Sequence, residues 1–365
     1  MKIMTVVGAR PQFIKAAVVS RKIRKQHQEI LVHTGQHYDA NMSEVFFEEL
    51  SIPKPDYNLG VGSGTHARQT AAMLIGIEDL LLQEKPDALL VYGDTNSTLA
   101  AALAASKQLV PVYHVEAGLR SFNRAMPEEQ NRVLTDHLSA LLFAPTQTAV
   151  DNLAKEGISK GVYAVGDVMC DAVLYYTASM EKQQKDKIFS GLKVLKGTTE
   201  GVHEWILATI HRAENTDTEE KLRQVLMAFE QLPYPVLFPV HPRTRQMAMA
   251  IMEKEHCHNT ILVEPVGYLE MLFLTKYAEK VVTDSGGLQK EAYILHTPCV
   301  TVRDQTEWVE TLRGNLNILA RPSAADIVQK VVETKIDETA RRPYYGEGDA
   351  ANKIVALISS KGGNQ

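Results

Sequence analysis

Two loops of the sequence have the composition of anion-binding sites. The first is the segment 8–15, GARPQFIK, which follows an apolar run and carries the cations Arg10 and Lys15. The second is the segment 283–291, TDSGGLQKE, which contains a hydroxyl group, two glycines and the carboxylate of Glu291. Each lies where an apolar run changes to helical periodicity, so each can direct the free N–H groups of a helix N-terminus at an anion. Together they predict a ligand that carries a diphosphate.

Groups suited to proton transfer lie in loops between these two segments. Asp94 and Glu116 each follow an apolar run, and Glu128 opens a helix. His211 follows a later apolar run and shares a polar turn with Arg212. Carboxylates that crowd together raise one another's pKa, which makes a carboxyl group a usable proton donor near neutral pH. The layout therefore predicts proton-transfer groups that face a sugar attached to the diphosphate.

Each of the three acids also has a purely structural interpretation. Asp94 can cap the helix that follows it, although Thr95 is an equally good cap. Glu116 can form an ion pair with Arg120, and an acid such as Glu128 commonly stabilises the first turn of a helix. The residues alone leave both interpretations open.

The elements that must position these residues alternate between short apolar runs and longer segments of helical periodicity. Runs that are apolar on both faces and joined by helical crossovers indicate parallel sheets covered on both sides, with ligands at the carboxyl ends of the strands. The fold class predicted is α/β, with two Rossmann-like, doubly wound domains. The predicted strands are residues 2–7, 29–34, 87–92, 111–114, 140–144, 161–165, 204–210, 235–239, 260–263, 279–283, 298–302 and 315–319. The predicted domains are residues 1–167 and 168–347. A C-terminal helix is predicted over 348–365, and the sequence leaves open whether it packs back on the first domain.

Composition argues against several other classes of function. The 365 residues are 45% hydrophobic and 23% charged, and the net charge of −5 disfavours nucleic acid and anionic membranes as partners. The three cysteines form no CxxC pair, and no apolar run approaches the ~18 residues of a membrane span. We therefore expect a soluble cytoplasmic protein. Because the histidines are scattered and no GxGxxG motif occurs, we expect neither a metal nor a nicotinamide cofactor.

Seven motifs, in this order and spacing, resemble the non-hydrolysing UDP-N-acetylglucosamine 2-epimerases. The motifs are GARPQFIK, YGDTNST, HVEAGLR, MPEEQNR, HRAEN, TDSGGLQKEA and RDQTEW. The resemblance runs from about residue 3 to residue 358, nearly the whole chain. It implies two Rossmann-like domains in the glycosyltransferase-B arrangement, a substrate site in the interdomain cleft, a homodimer, and no metal or nicotinamide.

The resemblance also implies roles for individual residues. Arg10 and His211 would contact the diphosphate, Lys15 and Arg212 would lie in the same region, and Met271 would take the place of a phenylalanine near the uracil. The phosphate loop would consist of Ser285, Gly286 and Gly287, with Glu291 at the ribose, and the acid–base groups would be Asp94, Glu116 and Glu128. The implied reaction eliminates UDP across C1–C2 to give a 2-acetamidoglucal, then adds UDP back with the proton on the other face.

Other activities remain open at this stage. The HRAEN, RSFN and RDQTEW segments are similar to the branch that acts on UDP-2,3-diacetamido-2,3-dideoxy-glucuronic acid, whose C6 carboxylate would need an extra cation. The candidate cations are Arg120, Arg124, Arg212 and Arg303. A hydrolysing epimerase, a glycosyltransferase or a UDP-sugar sensor would share parts of the site. Relatives activated by their own substrate carry a QHREMLDQ-like segment, which reads QHYDANMSE over residues 36–44 here, so activation is also open.

Overall fold

The structure is a computed structural model that describes residues 1–36, 50 and 52–362. The chain divides into two compact units, which we call unit 1 (Met1–Tyr175 with Pro343–Gln365) and unit 2 (Tyr176–Arg342). The divisions thus fall at 175/176 and 342/343, whereas the sequence-based boundaries are 167/168 and 347/348.

Unit 1 contains a seven-stranded sheet in which every pairing is parallel. Its strands are β1 (Lys2–Val7), β2 (Gln28–His33), β3 (Tyr57–Asn58), β4 (Ala88–Tyr92), β5 (Val112–Val115), β6 (Leu141–Ala144) and β7 (Val162–Ala164). Their order across the sheet is β3-β2-β1-β4-β5-β6-β7. The described helices up to the division are α1 (Arg10–Ile23), α2 (His66–Glu84), α3 (Asn96–Lys107), α4 (Pro127–Leu138), α5 (Gln147–Lys155) and α6 (Val168–Thr177).

Unit 2 contains a second seven-stranded sheet with the order β14-β13-β12-β9-β10-β11-β8. Its strands are β8 (Val194–Lys196), β9 (Ile206–Thr209), β10 (Val236–Pro239), β11 (Thr260–Val263), β12 (Lys280–Thr283), β13 (Cys299–Val302) and β14 (Asn317–Ala320). Its helices are α7 (Lys185–Gly191), α8 (Ala213–Thr216), α9 (Glu219–Phe229), α10 (Pro242–Lys254), α11 (Tyr268–Lys276), α12 (Gly286–Ile294) and α13 (Ala324–Val332). Three short 3₁₀ segments lie at Lys182–Gln184, Val309–Asn315 and Glu338–Ala340.

The strands are apolar because both faces of each sheet are covered. All five residues of β4 and all four of β10 are buried, as expected for a parallel sheet between helical layers. The twelve predicted strands are confirmed, with ends shifted by at most two residues, and so is the fold class of two parallel-sheet α/β domains. Within the described ranges, no helix is both long and apolar enough to cross a membrane.

Two strands were not predicted. β3 has only two residues, too few to show a hydrophobic period. β8 lies in the Lys- and Glu-rich stretch 181–201 and is partly exposed, and it pairs antiparallel with β11 at the edge of the sheet. This edge strand is the exception to the parallel pairing of the other strands, because exposure on one side removes the requirement for a continuous apolar run.

The last helix, α14 (Ala350–Gly362), packs within unit 1. The Asp171 carboxylate accepts hydrogen bonds from the backbone N–H groups of Ala350 and Ala351 at 3.1 and 2.8 Å. Burial raises the pKa of Asp171, against the lowering effect of these two bonds. The carboxylate caps the start of the helix in the way an anion usually does at a helix N-terminus.

Candidate active site

Three adjacent strands bring the polar loops of unit 1 to one edge of its sheet. Because β1 neighbours β4 and β4 neighbours β5, and all run in parallel, their carboxyl ends meet. Arg10 begins α1 just after β1, Asp94 follows β4, and Glu116 follows β5. The strand order thus places these three candidate residues at one sheet edge.

Glu116 forms an ion pair with Lys15, and both side chains are about nine-tenths buried. Gly93 lies against the pair: a Cβ there would be 3.3 Å from Glu116 Oε2 and 3.7 Å from Lys15 Nζ. Glu116 itself has a φ of +75°, a conformation that costs a residue other than glycine on the order of 1–3 kcal/mol. The fold therefore accepts backbone strain to hold this carboxylate against a buried ammonium group.

Asp94 is held by helix α4. Its Oδ2 lies 2.5 Å from Arg132 Nη2, and its backbone carbonyl accepts from Asn131 Nδ2 at 2.9 Å. The cap of α3 is Thr95, whose hydroxyl accepts from Thr98 N at 3.3 Å. The capping interpretation of Asp94 is therefore wrong, and its carboxylate, about one-third exposed, is directed at a cation.

Glu128 and Glu129 differ in their surroundings although they are consecutive. Glu129 is buried, accepts from Ser121 N and Phe122 N at 2.8 and 2.9 Å, and pairs with Arg132 at 3.1 Å. It holds the preceding loop in place. Glu128 is half-buried in the first turn of α4, and among the described residues no hydrogen bond or ion pair to its carboxylate is found.

Arg120 does not form the ion pair with Glu116 that would have given that carboxylate a purely structural role. Its guanidinium is 1% exposed and lies 2.7 Å from Asp136 Oδ2 and 2.6 Å from Glu156 Oε1. Asp136 lies on α4 and Glu156 directly follows α5, so this arginine is fully committed to holding elements of unit 1 together.

Gln12 is a buried residue that joins two of these loops and that sequence reasoning missed. Its Oε1 accepts from Gly8 N at 2.8 Å and Ala9 N at 3.1 Å. Its Nε2 donates to Tyr92 O at 2.6 Å and to Thr95 Oγ1 at 3.0 Å. A polar side chain in the otherwise apolar part of a helix is the signal that could have identified it, because a buried amide must find partners.

In unit 2, one buried carboxylate organises the turn after β9. Asp284 is fully buried and accepts from the backbone N–H groups of His211 (3.0 Å) and Arg212 (2.9 Å), and from Asn215 Nδ2 (3.0 Å). The ring of His211 lies with Nδ1 3.3 Å from Asp284 Oδ1. Arg212 Nε donates back to the Asp284 carbonyl at 2.8 Å. The His211 side chain is 44% exposed, so the carboxylate fixes one edge of the ring and leaves the other open.

A second turn, after β10, supports the first. Arg243 Nη2 donates to the carbonyl of His211 at 2.8 Å and to Thr216 Oγ1 at 3.1 Å. His241 caps α10 by accepting from Arg243 N at 3.2 Å. Burial, followed by the charges of His211 and Arg243, lowers the pKa of His241 and favours the neutral ring that such a cap requires.

The loop after β12 forms an open helix N-terminus. Ser285 is the cap of α12, and its hydroxyl accepts from Leu288 N at 3.5 Å. A Cβ on Gly287 would meet only Ser285 Oγ, at 3.9 Å, whereas one on Gly286 would lie 2.4 Å from Glu307 Oε1. A Cβ on Gly286 would therefore displace the Glu307 carboxylate, and the N–H groups at this terminus are those that can bind an anion.

Glu291 and Met271 lie deeper in unit 2. Glu291 lies on α12 and is 8% exposed. Met271, on α11, is half-buried and packs against the core cluster that contains Trp205 and Phe273. The predicted ribose and uracil contacts of these two residues remain predictions.

The two units thus offer different chemistry. Unit 1 presents carboxylates in three distinct environments, which suits proton transfer, and unit 2 presents a helix N-terminus with adjacent cations, which suits an anion. Over the part of the chain that the structure describes, no cluster of three or more metal-binding side chains occurs. Residues 37–44 of the predicted activation segment lie outside the described residues.

Comparison with known proteins gives a consistent result. A family model described as UDP-N-acetylglucosamine 2-epimerase matches residues 21–359. A relative from Methanococcus maripaludis, named UDP-N-acetylglucosamine 2-epimerase homolog, is 51% identical over 98% of this chain and 99% of its own length. UDP-2,3-diacetamido-2,3-dideoxy-D-glucuronate 2-epimerase from Pseudomonas aeruginosa is 48% identical over 98% of this chain and 99% of its own.

A solved structure is similar over the same extent. The UDP-GlcNAc 2-epimerase of Methanocaldococcus jannaschii, in complex with UDP-GlcNAc and UDP, superposes with a TM-score of 0.84 at 42% identity. The match covers 99% of this chain and 100% of that one.

Proposed function

The chain belongs to the UDP-N-acetylglucosamine 2-epimerase family, a family of isomerases, and we propose that it interconverts UDP-N-acetylglucosamine and UDP-N-acetylmannosamine without hydrolysis. In this reaction a base removes the C2 proton as UDP leaves C1, which gives a 2-acetamidoglucal. UDP then adds back to C1 while a proton is delivered to the opposite face of C2. The net change is inversion at C2, and neither water nor a redox cofactor is consumed.

The observation that carries this proposal is that the three carboxylates differ in whether a cation contacts them, and in which one. Asp94 is paired with Arg132 and Glu116 with Lys15, so each of these two carboxylates is oriented by a cation. Glu128 has no such cation among the described residues. Elimination and re-addition require a base and an acid that serve opposite faces of one carbon. We assign the base roles to the two paired carboxylates and the acid role to Glu128.

Unit 2 supplies the groups that stabilise UDP as it departs. In our proposal the diphosphate binds the N–H groups of Ser285, Gly286 and Gly287 at the start of α12. His211 and Arg212, fixed by Asp284, add hydrogen-bond donors and positive charge, and Arg10 adds a further cation. Charge that develops on the leaving diphosphate is stabilised most by donors that are already oriented before the reaction. Glu291 would accept from the ribose hydroxyls, and Met271 would cover the uracil ring.

A second substrate deserves the same test because of the 48% identity to the diacetamido-glucuronate enzyme. Of the four cations considered for a C6 carboxylate, Arg120 is committed to Asp136 and Glu156. Arg303 is 11% exposed and pairs with Glu307 at 2.8 Å. Arg124, which is exposed, and Arg212 are therefore the two that we assign to a uronic acid substrate. Replacing Arg124 by Met would then reduce turnover of the uronic acid selectively.

The test is to follow product configuration by NMR with each of the two UDP-sugars. The proposal expects an equilibrium mixture of C2 epimers, still linked to UDP, from UDP-N-acetylglucosamine. Release of free N-acetylmannosamine would identify a hydrolysing enzyme instead, and turnover of the diacetamido uronic acid alone would select the second substrate. Sugar transfer to an acceptor without C2 inversion would identify a glycosyltransferase.

We also propose that the enzyme works in the cytoplasm as a homodimer, as the family resemblance implies. Light scattering after size-exclusion chromatography tests the dimer: a mass near 81 kDa, twice the 40.5 kDa chain, is expected, and a mass of one chain contradicts it.

A further inference from the structure

Near the candidate acid–base groups of unit 1 lies a network of four ionisable side chains, three of which are at most 1% exposed. It consists of His114, Asp136, Arg120 and Glu156. His114 is fully buried on β5, and Asp136, 1% exposed, lies near the end of α4. The proposed reaction does not use any of these four groups. Ion pairs this deeply buried gain little net stability over apolar packing, so their presence calls for a functional reason.

His114 connects Asp136 to the loop that carries Asp94. Its Nδ1 lies 2.7 Å from Asp136 Oδ1, and its Nε2 lies 2.8 Å from the carbonyl oxygen of Gly93. A carbonyl and a carboxylate are both hydrogen-bond acceptors, and the ring bridges the carboxylate of Asp136 and the carbonyl of Gly93. The carbonyl of Gly93 belongs to the peptide that leads directly into Asp94, and this contact therefore fixes the orientation of that peptide.

The other oxygen of Asp136 holds the loop that carries Glu116. Asp136 Oδ2 accepts from Gly118 N at 3.0 Å and from Arg120 Nη1 at 2.7 Å. The turn is unusual because both Glu116 and Gly118 have positive φ, +75° and +82°. A hydrogen bond from Gly118 to a buried carboxylate helps to maintain this strained conformation.

The neighbours of Asp136 favour its ionised form. Burial by itself raises the pKa of Asp136, but the hydrogen bonds and charges of His114 and Arg120 outweigh burial and the pKa is lowered overall. Arg120 also pairs with Glu156, with Arg120 Nε 2.6 Å from Glu156 Oε1, and His137 Nε2 lies 3.2 Å from Glu156 Oε2. A single carboxylate, Asp136, thus contacts the Glu116 loop directly and the Asp94 loop through one residue, His114. It also lies on the same helix as Glu128, eight residues and about 12 Å further along.

We propose that Asp136 and His114 are positioning residues, which set the geometry of Asp94 and Glu116 for the transfer of the C2 proton. This inference rests on the proposed function. Asp136 acts on the Asp94 loop through the ring of His114 and on the Glu116 loop through Gly118 N. Because displacement of a reacting group by about 1 Å can cost on the order of 10²-fold in rate, loss of either contact lowers kcat more than it changes KM.

Two substitutions of His114 separate its two hydrogen bonds. A glutamine amide nitrogen reaches the position of Nε2 and can still donate to Gly93 O, whereas an asparagine amide occupies the position of Nδ1 and keeps only the Asp136 contact. We expect kcat to fall about 10- to 100-fold in His114→Asn, with KM nearly unchanged, and to fall less in His114→Gln. Equal kcat values in both variants, or values equal to that of the wild type, would overturn the proposal.

Asp136→Asn and Glu156→Gln form a matched pair that separates positioning from stability. Each removes one carboxylate from Arg120, but only Asp136 contacts His114 and Gly118. We expect Asp136→Asn to lower kcat about 10- to 100-fold and Glu156→Gln to leave it at the wild-type value. An equal fall in both variants would mean that the network serves only to hold Arg120, which contradicts the proposal.

Amide hydrogen exchange provides a readout that does not depend on turnover. Asp136→Asn should increase exchange in peptides that cover residues 93–95 and 116–119, and Glu156→Gln should not. Unchanged exchange in Asp136→Asn would overturn the proposal even if the wild-type protein epimerised neither UDP-sugar. Absence of turnover in the wild type, with exchange altered as expected, would instead refute the proposed function and leave the positioning role supported.

Discussion

Replacement of Asp284 by asparagine tests how the His211 turn is built. The carboxylate is fully buried and accepts three hydrogen bonds of 2.9–3.0 Å, from His211 N, Arg212 N and Asn215 Nδ2. An amide of the same shape keeps one acceptor oxygen but loses the charge and places an NH₂ group where Oδ1 faced His211. A hydrogen bond to a charged group contributes about 1 kcal/mol more than a neutral one, so the three bonds together predict a loss of about 3 kcal/mol.

Calorimetry and UDP titration measure the two consequences. For a unit of this size, about 3 kcal/mol corresponds to a decrease in Tm of roughly 6–12 °C. Since His211 and Arg212 are proposed to bind the diphosphate, the UDP affinity should also fall, by about tenfold for each ~1.4 kcal/mol of binding energy lost. Asp217→Asn is the matched control, because Asp217 is an exposed carboxylate close in sequence. A Tm within about 2 °C of the wild type and an unchanged UDP affinity would refute the reasoning.

Three further predictions concern other residues. Lys15→Met leaves the nearly buried carboxylate of Glu116 without its cation; we expect a loss of about 3 kcal/mol in the free energy of unfolding, measured by urea titration, and slower C2 exchange. Gly8→Ala places a Cβ 2.1 Å from Ser97 Oγ and should lower stability by about 1–3 kcal/mol, seen as a lower Tm; an unchanged Tm would contradict the packing described here. Burial raises the pKa of Cys299 to about 12, so at pH 8 its thiolate fraction is about 10⁻⁴ and a thiol reagent should label it only after unfolding. Because the folded pKa lies above the unfolded value, this thiol leaves stability unaffected at lower pH and reduces it above about pH 9, which denaturation curves at pH 8 and 10 would detect.

The sequence predicted the strands and the candidate loops well because both depend on local pattern. Apolar runs with helical crossovers define parallel strands, and polar residues that follow them must lie at the sheet edge. Local pattern does not predict which residue pairs with each site residue, because that depends on the order of the strands in the sheet. Lys15 meets Glu116 from 101 residues away, which follows only once β1, β4 and β5 are known to be adjacent.

Local sequence pattern also could not predict that Glu129 is buried while Glu128 is half-buried. Successive residues on a helix differ by about 100° in direction, so which of two adjacent acids is buried depends on how the helix packs. His114 and Asp136 did carry a signal that could have been used: a histidine in the apolar strand β5 must find buried partners. The signal does not say which partners, because these lie on α4 and in the loop after β4.

Deuterium incorporation at C2 tests the proposed proton transfer most directly. The wild-type protein and Asp94→Asn are incubated with UDP-N-acetylglucosamine in deuterium oxide, and C2 label and configuration are followed by NMR. We predict that the wild type incorporates deuterium at C2 in both epimers and that Asp94→Asn does so far more slowly. Epimerisation without deuterium incorporation, or near-normal exchange in Asp94→Asn, would contradict the proposed proton transfer.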